Sequence, residues 1–150
     1  MPAFTHLLDT SVYSQFLRSK PVRPALERWA RHGDSALAIS AICEAEVLYG
    51  IALNPPHASV LRQRYENLLR QRLALLPIDG EVAATFADLK AGCKQRGTLI
   101  PEMDLLIAAT ALTHNLVVAT LNHRHFKLCP GVIVEDWSLA QENTHTVQDS

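Results

Sequence analysis

Short apolar runs alternate with longer stretches of helical periodicity along this chain. Apolar runs predict strands at residues 4–8, 36–39 and 116–120, and a short edge strand at 132–134. The longer stretches predict helices over residues 10–17, 24–33, 40–53, 59–76, 80–96 and 101–114. Strands that alternate with helices are typical of an α/β domain, with a mainly parallel central sheet flanked by helices.

Composition limits the class of protein without identifying its function. The 150 residues are 48% apolar and 19% charged, which is typical of one globular domain. The net charge is -1, but residues 1–72 carry nine Lys and Arg against six acids, which permits a local basic face. Three scattered cysteines fit a reducing cytoplasm, and no apolar run is long enough to predict a membrane span.

Three polar side chains follow the predicted strands or begin a predicted helix. Asp9 and Asn122 each come after a strand, and Asp104 lies in the first turn of the helix after Pro101. Because ligands gather beyond the carboxyl ends of parallel strands, Asp9 and Asn122 are expected at one edge of the sheet. The helix dipole is expected to keep Asp104 ionised. Carboxylates beside apolar surface need a partner, and a hard metal ion is the natural candidate.

The residues around these acids leave two questions open. Asp9 is itself a good helix cap, but Thr10 and Ser11 can cap equally well and leave its carboxylate free for a ligand. In the helix after the second strand, Glu44 and Glu46 lie on different faces, and periodicity does not choose between them.

A histidine pair follows the strand at residues 116–120. His123 and His125 have an H-x-H spacing that can bind zinc. Because no further ligands follow at a zinc-site spacing, a solvated loop is the favoured interpretation of this pair.

Four segments, in order, resemble the motifs of the PIN domain family. They are LLDTSVY, ISAICEAEVLYGI, IPEMDLLIAATAL and VVATLNHRHF, and the ending PGVIVEDW is similar to the VapC toxin branch of that family. The likeness runs from about residue 4 to residue 137. It implies a PIN-like three-layer domain over residues 1–137, and the polar residues 138–150 are expected to form a flexible tail.

The resemblance also implies a set of site residues. It places three metal-binding and catalytic acids in this chain, at Asp9, Glu46 and Asp104, and so favours Glu46 over Glu44. Thr10 and Ser11 become polar helpers beside the first acid.

The fourth acid of the family is replaced in this chain. Asn122 stands where many relatives have Asp, and His125 stands where others have Glu. The resemblance implies that Asn122 orients water or phosphate in the catalytic site, and that the lost charge weakens a second metal site.

The function implied by the resemblance is that of a Mg2+- or Mn2+-dependent endoribonuclease, the toxin of a type II toxin-antitoxin pair. Such a cytoplasmic protein would cut RNA such as tRNA, pair with a VapB-like antitoxin and form a homodimer. The Arg residues of the first half could then contact RNA phosphates.

Two alternatives stay open at this stage. One is a catalytically weakened PIN scaffold that binds antitoxin or RNA without efficient cleavage. The other is a phosphoacceptor signalling domain, which is disfavoured because the chain lacks paired acids after the first strand.

Overall fold

A five-stranded sheet, in which every strand pairs in parallel, forms the centre of the molecule. The computed structural model describes residues 3–140. The strands are β1 (His6–Leu8), β2 (Leu37–Ser40), β3 (Ala74–Leu76), β4 (Val117–Thr120) and β5 (Val134–Asp136). Their order across the sheet is β3-β2-β1-β4-β5, which puts β1 at the centre.

Helices cover both faces of this sheet. They are α1 (Thr10–Tyr13), α2 (Arg23–His32), α3 (Ala41–Ala52), α4 (Ala58–Leu68), α5 (Gly80–Arg96), α6 (Glu102–His114) and α7 (Arg124–Lys127). None of the helices within residues 3–140 is both long enough and apolar enough to cross a membrane.

Two apolar cores separate the sheet from its helices. Neighbouring strand residues point to opposite faces, so Leu8 packs with α1–α4 while Leu7 packs with α5–α7. Trp29 of α2 and Trp137 are fully buried in the first core, and Ile107 of α6 is fully buried in the second. This three-layer arrangement confirms the predicted fold class.

Several of the predicted helices agree with the structure, and some of their ends have identifiable caps. The helix predicted over 80–96 is α5, and the one over 101–114 is α6. Ser40 caps α3 as predicted, since its hydroxyl accepts the N–H of Ile42 at 3.1 Å. Gly97 ends α5 with φ +67°, a backbone conformation that glycine adopts without strain.

The prediction of one helix over residues 59–76 is wrong. α4 ends at Leu68, and Ala74–Leu76 form the edge strand β3, which pairs with β2. Between them lies Gln71, whose φ of +58° is incompatible with a continuous right-handed helix. The apolar positions continue the helical spacing through Leu69, which is fully buried, to Leu73 and Leu76, so periodicity alone hides the change of element.

Smaller differences affect two other predicted elements. The first helix is α-helical only to Tyr13 and continues as a 3-10 turn over Ser14–Leu17. The last strand is at the sheet edge as predicted, but two residues later. Residues 141–150 of the predicted tail lie outside the described part of the chain.

The topology places the ends of β1 and β4 side by side. Leu8 pairs with Ala119, so Asp9 after β1 lies next to Thr120 at the end of β4. The N-terminus of α3 follows β2, on the other side of β1. Residues far apart in sequence therefore meet at the carboxyl edge of the sheet.

Candidate active site

Asp9 is the most firmly held acid at this edge. Its residue surface is 7% exposed. One carboxylate oxygen accepts the N–H of Thr10 at 2.7 Å, so Asp9 caps α1 and neither Thr10 nor Ser11 takes that role. The other oxygen accepts the hydroxyls of Ser11 and Thr120, each at 2.8 Å. Three donors therefore fix the carboxylate in one orientation.

Ser11 and Thr120 form a hydroxyl bridge between the first and fourth strands. The Ser11 hydroxyl accepts the N–H of Leu121 at 3.0 Å while it donates to Asp9. The Thr120 hydroxyl accepts the N–H of Asn122 at 3.0 Å while it donates to the same carboxylate. No motif in the sequence marks Thr120 as a site residue; its place at the end of a buried strand is the available signal.

Glu46 is joined to Asp9 through Thr10. The Thr10 hydroxyl donates to Glu46 Oε1 at 2.7 Å. Burial raises the pKa of Glu46, the bond from Thr10 lowers it, and the negative charges of Asp9 and Asp104 raise it again. All three carboxylates are therefore close enough to interact electrostatically.

Glu44 lies in a different environment from Glu46. Its carboxylate accepts the hydroxyl of Tyr13 at 3.1 Å. Burial raises the pKa of Glu44, while Tyr13 and the cation of Arg70 lower it. Within residues 3–140, Glu46 is the glutamate of α3 whose pKa is shifted by the other two acids of the cluster.

Asp104 enters the cluster from the first turn of α6. His125 Nδ1 lies 2.8 Å from its Oδ2. Burial raises the pKa of Asp104, the hydrogen bond to His125 lowers it, and the charge of Asp9 raises it. Burial is the largest of these effects and leaves the pKa of Asp104 above its ordinary value. That this acid is ionised in the folded protein stays a prediction.

Asn122 is connected to this cluster less directly than predicted. Its residue surface is exposed, and its backbone N–H reaches Asp9 only through the Thr120 hydroxyl. His125, which lies in α7 and not in the predicted loop, makes side-chain contact with Asp104. His123 instead lies 3.1 Å from Asp136, so the H-x-H pair does not converge on one ligand position.

The charges of the cluster fit a divalent cation. Within residues 3–140, the charges that shift the pKa of Glu46 and Asp104 come from the acids themselves and from His125, with no Lys or Arg contribution. The three acids do not form a closed cage. Among residues 3–140, the one triplet of ligand atoms that lie within 4.8 Å of one another belongs to other residues. An open, oxygen-rich site suits an ion such as Mg2+ that keeps several of its waters.

A cavity of about 370 Å³ opens beside Thr10 and Glu46. Gly50 and the apolar side chains of Val47 and Ile51 line one part of it. Arg18, which is exposed, lines another part. A cationic side chain therefore stands at an opening that reaches one of the clustered acids.

Comparisons with known proteins show which family the chain is similar to. The family model described as "PIN domain" matches residues 6–129. The chain is 33% identical over 138 residues to "VapC ribonuclease Y4jK" of Sinorhizobium fredii, covering 89% of this chain and 99% of that one. It is 30% identical over 133 residues to "tRNA(fMet)-specific endonuclease VapC" of Salmonella typhimurium, covering 87% and 96%.

A solved structure extends the likeness to the fold. The structure of DNA-bound VapBC from Salmonella typhimurium superposes with a TM-score of 0.79 at 30% sequence identity, covering 89% of this chain and 98% of that one. The sheet order, the clustered acids and these matches lead to one assignment. The chain belongs to the PIN domain family.

Proposed function

We propose that this protein is a metal-dependent endoribonuclease, the toxin of a type II toxin-antitoxin pair. The observation that carries the proposal is the meeting of Asp9, Glu46 and Asp104, from three separate segments, at the carboxyl edge of the sheet. The names of relatives that match nearly the whole chain support the activity.

The three acids would hold Mg2+ or Mn2+, directly or through water. When bound, such an ion supplies an activated water and neutralises charge on the attacked phosphate. The mutual repulsion that raises the pKa of Glu46 would be relieved by a cation in this position.

The chain's own residues have distinct parts in this proposal. Asp9 is held by three donors and fixes the position of the ligand set. Burial raises the pKa of both Glu46 and Asp104, so each is a stronger proton acceptor than an ordinary carboxylate. Arg18 is placed to contact an RNA phosphate beside the cavity, and Asn122 would orient water or phosphate from the adjacent loop.

A catalytically weakened scaffold is the second candidate function. It is favoured by one observation: the positions of the family's fourth acid hold Asn122, which is exposed, and His125, which bonds to Asp104. Neither side chain adds negative charge to the cluster, so a second metal ion would bind weakly. This scaffold would still bind antitoxin or RNA.

The partners follow from the same assignment. A VapB-like antitoxin is the expected protein partner, because a solved relative is a VapBC complex. RNA is the expected substrate, and tRNA is the first class to test, because one relative is named a tRNA(fMet)-specific endonuclease. We also propose a homodimer in the cytoplasm, where three buried free cysteines stay reduced.

A paired substitution in α3 tests the catalytic proposal. Cleavage of a tRNA pool is measured with Mg2+ or Mn2+, with and without a chelator, for Glu46→Gln and Glu44→Gln. Cleavage that requires metal, is lost in Glu46→Gln and is retained in Glu44→Gln is the expected result. Equal activity in the two variants would contradict the assigned site. RNA binding without cleavage by the parent protein would favour the scaffold.

A further inference from the structure

A second cluster of metal-ligating side chains lies apart from the proposed nuclease site. His6 begins β1, His32 ends α2 and Glu135 lies in β5. One ligand atom from each lies within 4.8 Å of the other two, and no other such triplet occurs among residues 3–140. His6 begins the strand that Asp9 follows, and it lies beside Trp137 in the first core.

The three groups are close enough that only small side-chain movements are needed to bind an ion. His6 Nε2 lies 2.8 Å from Glu135 Oε1, and the centroids of the His6 and His32 rings are 4.3 Å apart. Ligand atoms around a tetrahedral zinc ion lie roughly 3.3 Å apart. Side-chain rotations that move each ligand atom by about an ångström would therefore let all three groups reach a single ion.

The surroundings of His6 allow its Nε2 to act as a metal ligand. Its Nδ1 lies 2.7 Å from the Thr5 hydroxyl, which in turn lies 3.3 Å from the carbonyl oxygen of Ala36. When the hydroxyl donates to this carbonyl, its oxygen can accept a hydrogen bond from Nδ1–H. In that tautomer of His6 the proton is on Nδ1, and the lone pair of Nε2 is available. In metal-binding histidines, the N–H of the other ring nitrogen commonly donates to an oxygen acceptor in this way.

His32 and Glu135 are also held in position. The ring of Trp137 stacks on His32 at 5.4 Å, and its Nε1 donates to Glu135 Oε1 at 3.1 Å. Burial and then the neighbouring His6 lower the pKa of His32. The neutral imidazole that ligates metals is therefore the favoured form.

Arg28 opposes cation binding at this cluster and so restricts which ions can bind. Its Nη2 is 3.8 Å from Glu135 Oε1, while its Nη1 donates to the carbonyl oxygens of Asp136 and Leu139. A nearby guanidinium weakens the binding of every cation, so only ions with a strong affinity for imidazole can still bind at this cluster. Zn2+, Cu2+ and Ni2+ have that affinity and Mg2+ does not.

We propose that His6, His32 and Glu135 form a site for a divalent transition metal such as Zn2+. The three ligands come from positions far apart in the sequence, so the ion would clamp the end of α2 against β1 and β5. This site does not depend on the nuclease proposal, because none of its ligands belongs to the carboxylate cluster.

Cobalt absorption tests the position of the ion. Co2+ is titrated into the parent protein and into His32→Gln, Glu135→Gln, Asp104→Asn and the exposed control His57→Gln, each checked for folding by circular dichroism. A tetrahedral Co2+ band in the parent, Asp104→Asn and His57→Gln, lost in His32→Gln and Glu135→Gln, is expected. A band that is lost in Asp104→Asn but kept in His32→Gln places the ion at the acidic cluster and overturns the proposal.

Thermal unfolding gives an independent readout. Free Zn2+ at a hundredfold excess over its Kd should raise the Tm of the parent by about 5–10 °C, because it binds only the folded state. His32→Gln should show no such rise, and His57→Gln should match the parent. If Zn2+ produces neither a rise in Tm nor measurable binding by calorimetry, the cluster is a hydrogen-bonded His-Glu pair without a metal.

Discussion

Thr120→Val removes one hydroxyl that links β4 to the proposed nuclease site while keeping the shape of the side chain. Thr120 is fully buried, and its hydroxyl donates to Asp9 Oδ2 at 2.8 Å. It also accepts the N–H of Asn122 at 3.0 Å, and both contacts disappear in the variant. Asp9 then keeps its bonds from Thr10 and Ser11 but loses one of its three donors.

The expected loss of stability follows from these two bonds. A hydrogen bond to a charged group contributes about 1.5–3 kcal/mol, and the N–H of Asn122 lies in an exposed residue that water can reach. We therefore expect Thr120→Val to lower the free energy of unfolding by about 2–3 kcal/mol, which lowers the Tm by about 4–12 °C.

The expected loss of activity comes from the orientation of Asp9. Removing a partner that orients a metal ligand typically costs about 10–100-fold in affinity or rate. RNA cleavage by Thr120→Val, measured below its Tm, should fall by that factor. Thr120→Ser keeps the hydroxyl and should restore cleavage even if the lost methyl group costs some stability.

Thr110→Val is the matched control for this experiment. Thr110 is also fully buried, but its hydroxyl donates to the carbonyl oxygen of Leu106 in its own helix. We expect a loss of about 1 kcal/mol or less and an unchanged cleavage rate. Equal cleavage rates for Thr120→Val and Thr110→Val would refute the argument that Thr120 positions Asp9.

Three further predictions concern charge in the carboxylate cluster. His125→Ala removes a bond that lowers the pKa of Asp104, so the acid limb of the pH-rate profile should move to higher pH; an unmoved limb would contradict this coupling. Asn122→Asp adds a negative charge and should tighten Mn2+ binding in calorimetry, whereas unchanged affinity would separate Asn122 from the metal site. Because burial raises the pKa of Glu46 and Asp104 in the folded state, their protonation should stabilise the metal-free fold as the pH falls through those raised values towards about 4. Urea unfolding should show a weaker acid-induced gain in the double variant Glu46→Gln/Asp104→Asn than in the parent, and equal gains would count against these shifts.

The sequence predicts α5 well because its periodicity and its caps agree. Asp79 caps α5 by accepting the N–H of Val82, and Gly97 ends it in the left-handed region. The strand β3 was missed because Leu73 and Leu76 extend the spacing of the preceding helix. Pairing with β2, which only the tertiary structure supplies, decides the conformation of that segment.

Some residues of the candidate site can also be predicted from the local sequence, and others only from the tertiary structure. The position of Asp9 after a strand is local and could be predicted. The roles of Thr120 and His125 depend on β4 lying beside β1 and on α7 lying beside α6, which no local pattern contains. The preference for Glu46 over Glu44 comes from the family resemblance, and the bond from Thr10 to Glu46 is a tertiary contact that the sequence alone does not show.

The most direct test of the central claim is single-turnover cleavage of tRNA in Mn2+ by Asp104→Asn and by its control Asp88→Asn. Both replace a carboxylate with an amide of the same shape, but Asp88 is exposed on α5 and Asp104 belongs to the cluster. We predict that Asp104→Asn loses cleavage and Mn2+ binding, while Asp88→Asn retains both. Cleavage by Asp104→Asn at the rate of the control would contradict the claim that these clustered acids form a metal-dependent ribonuclease site.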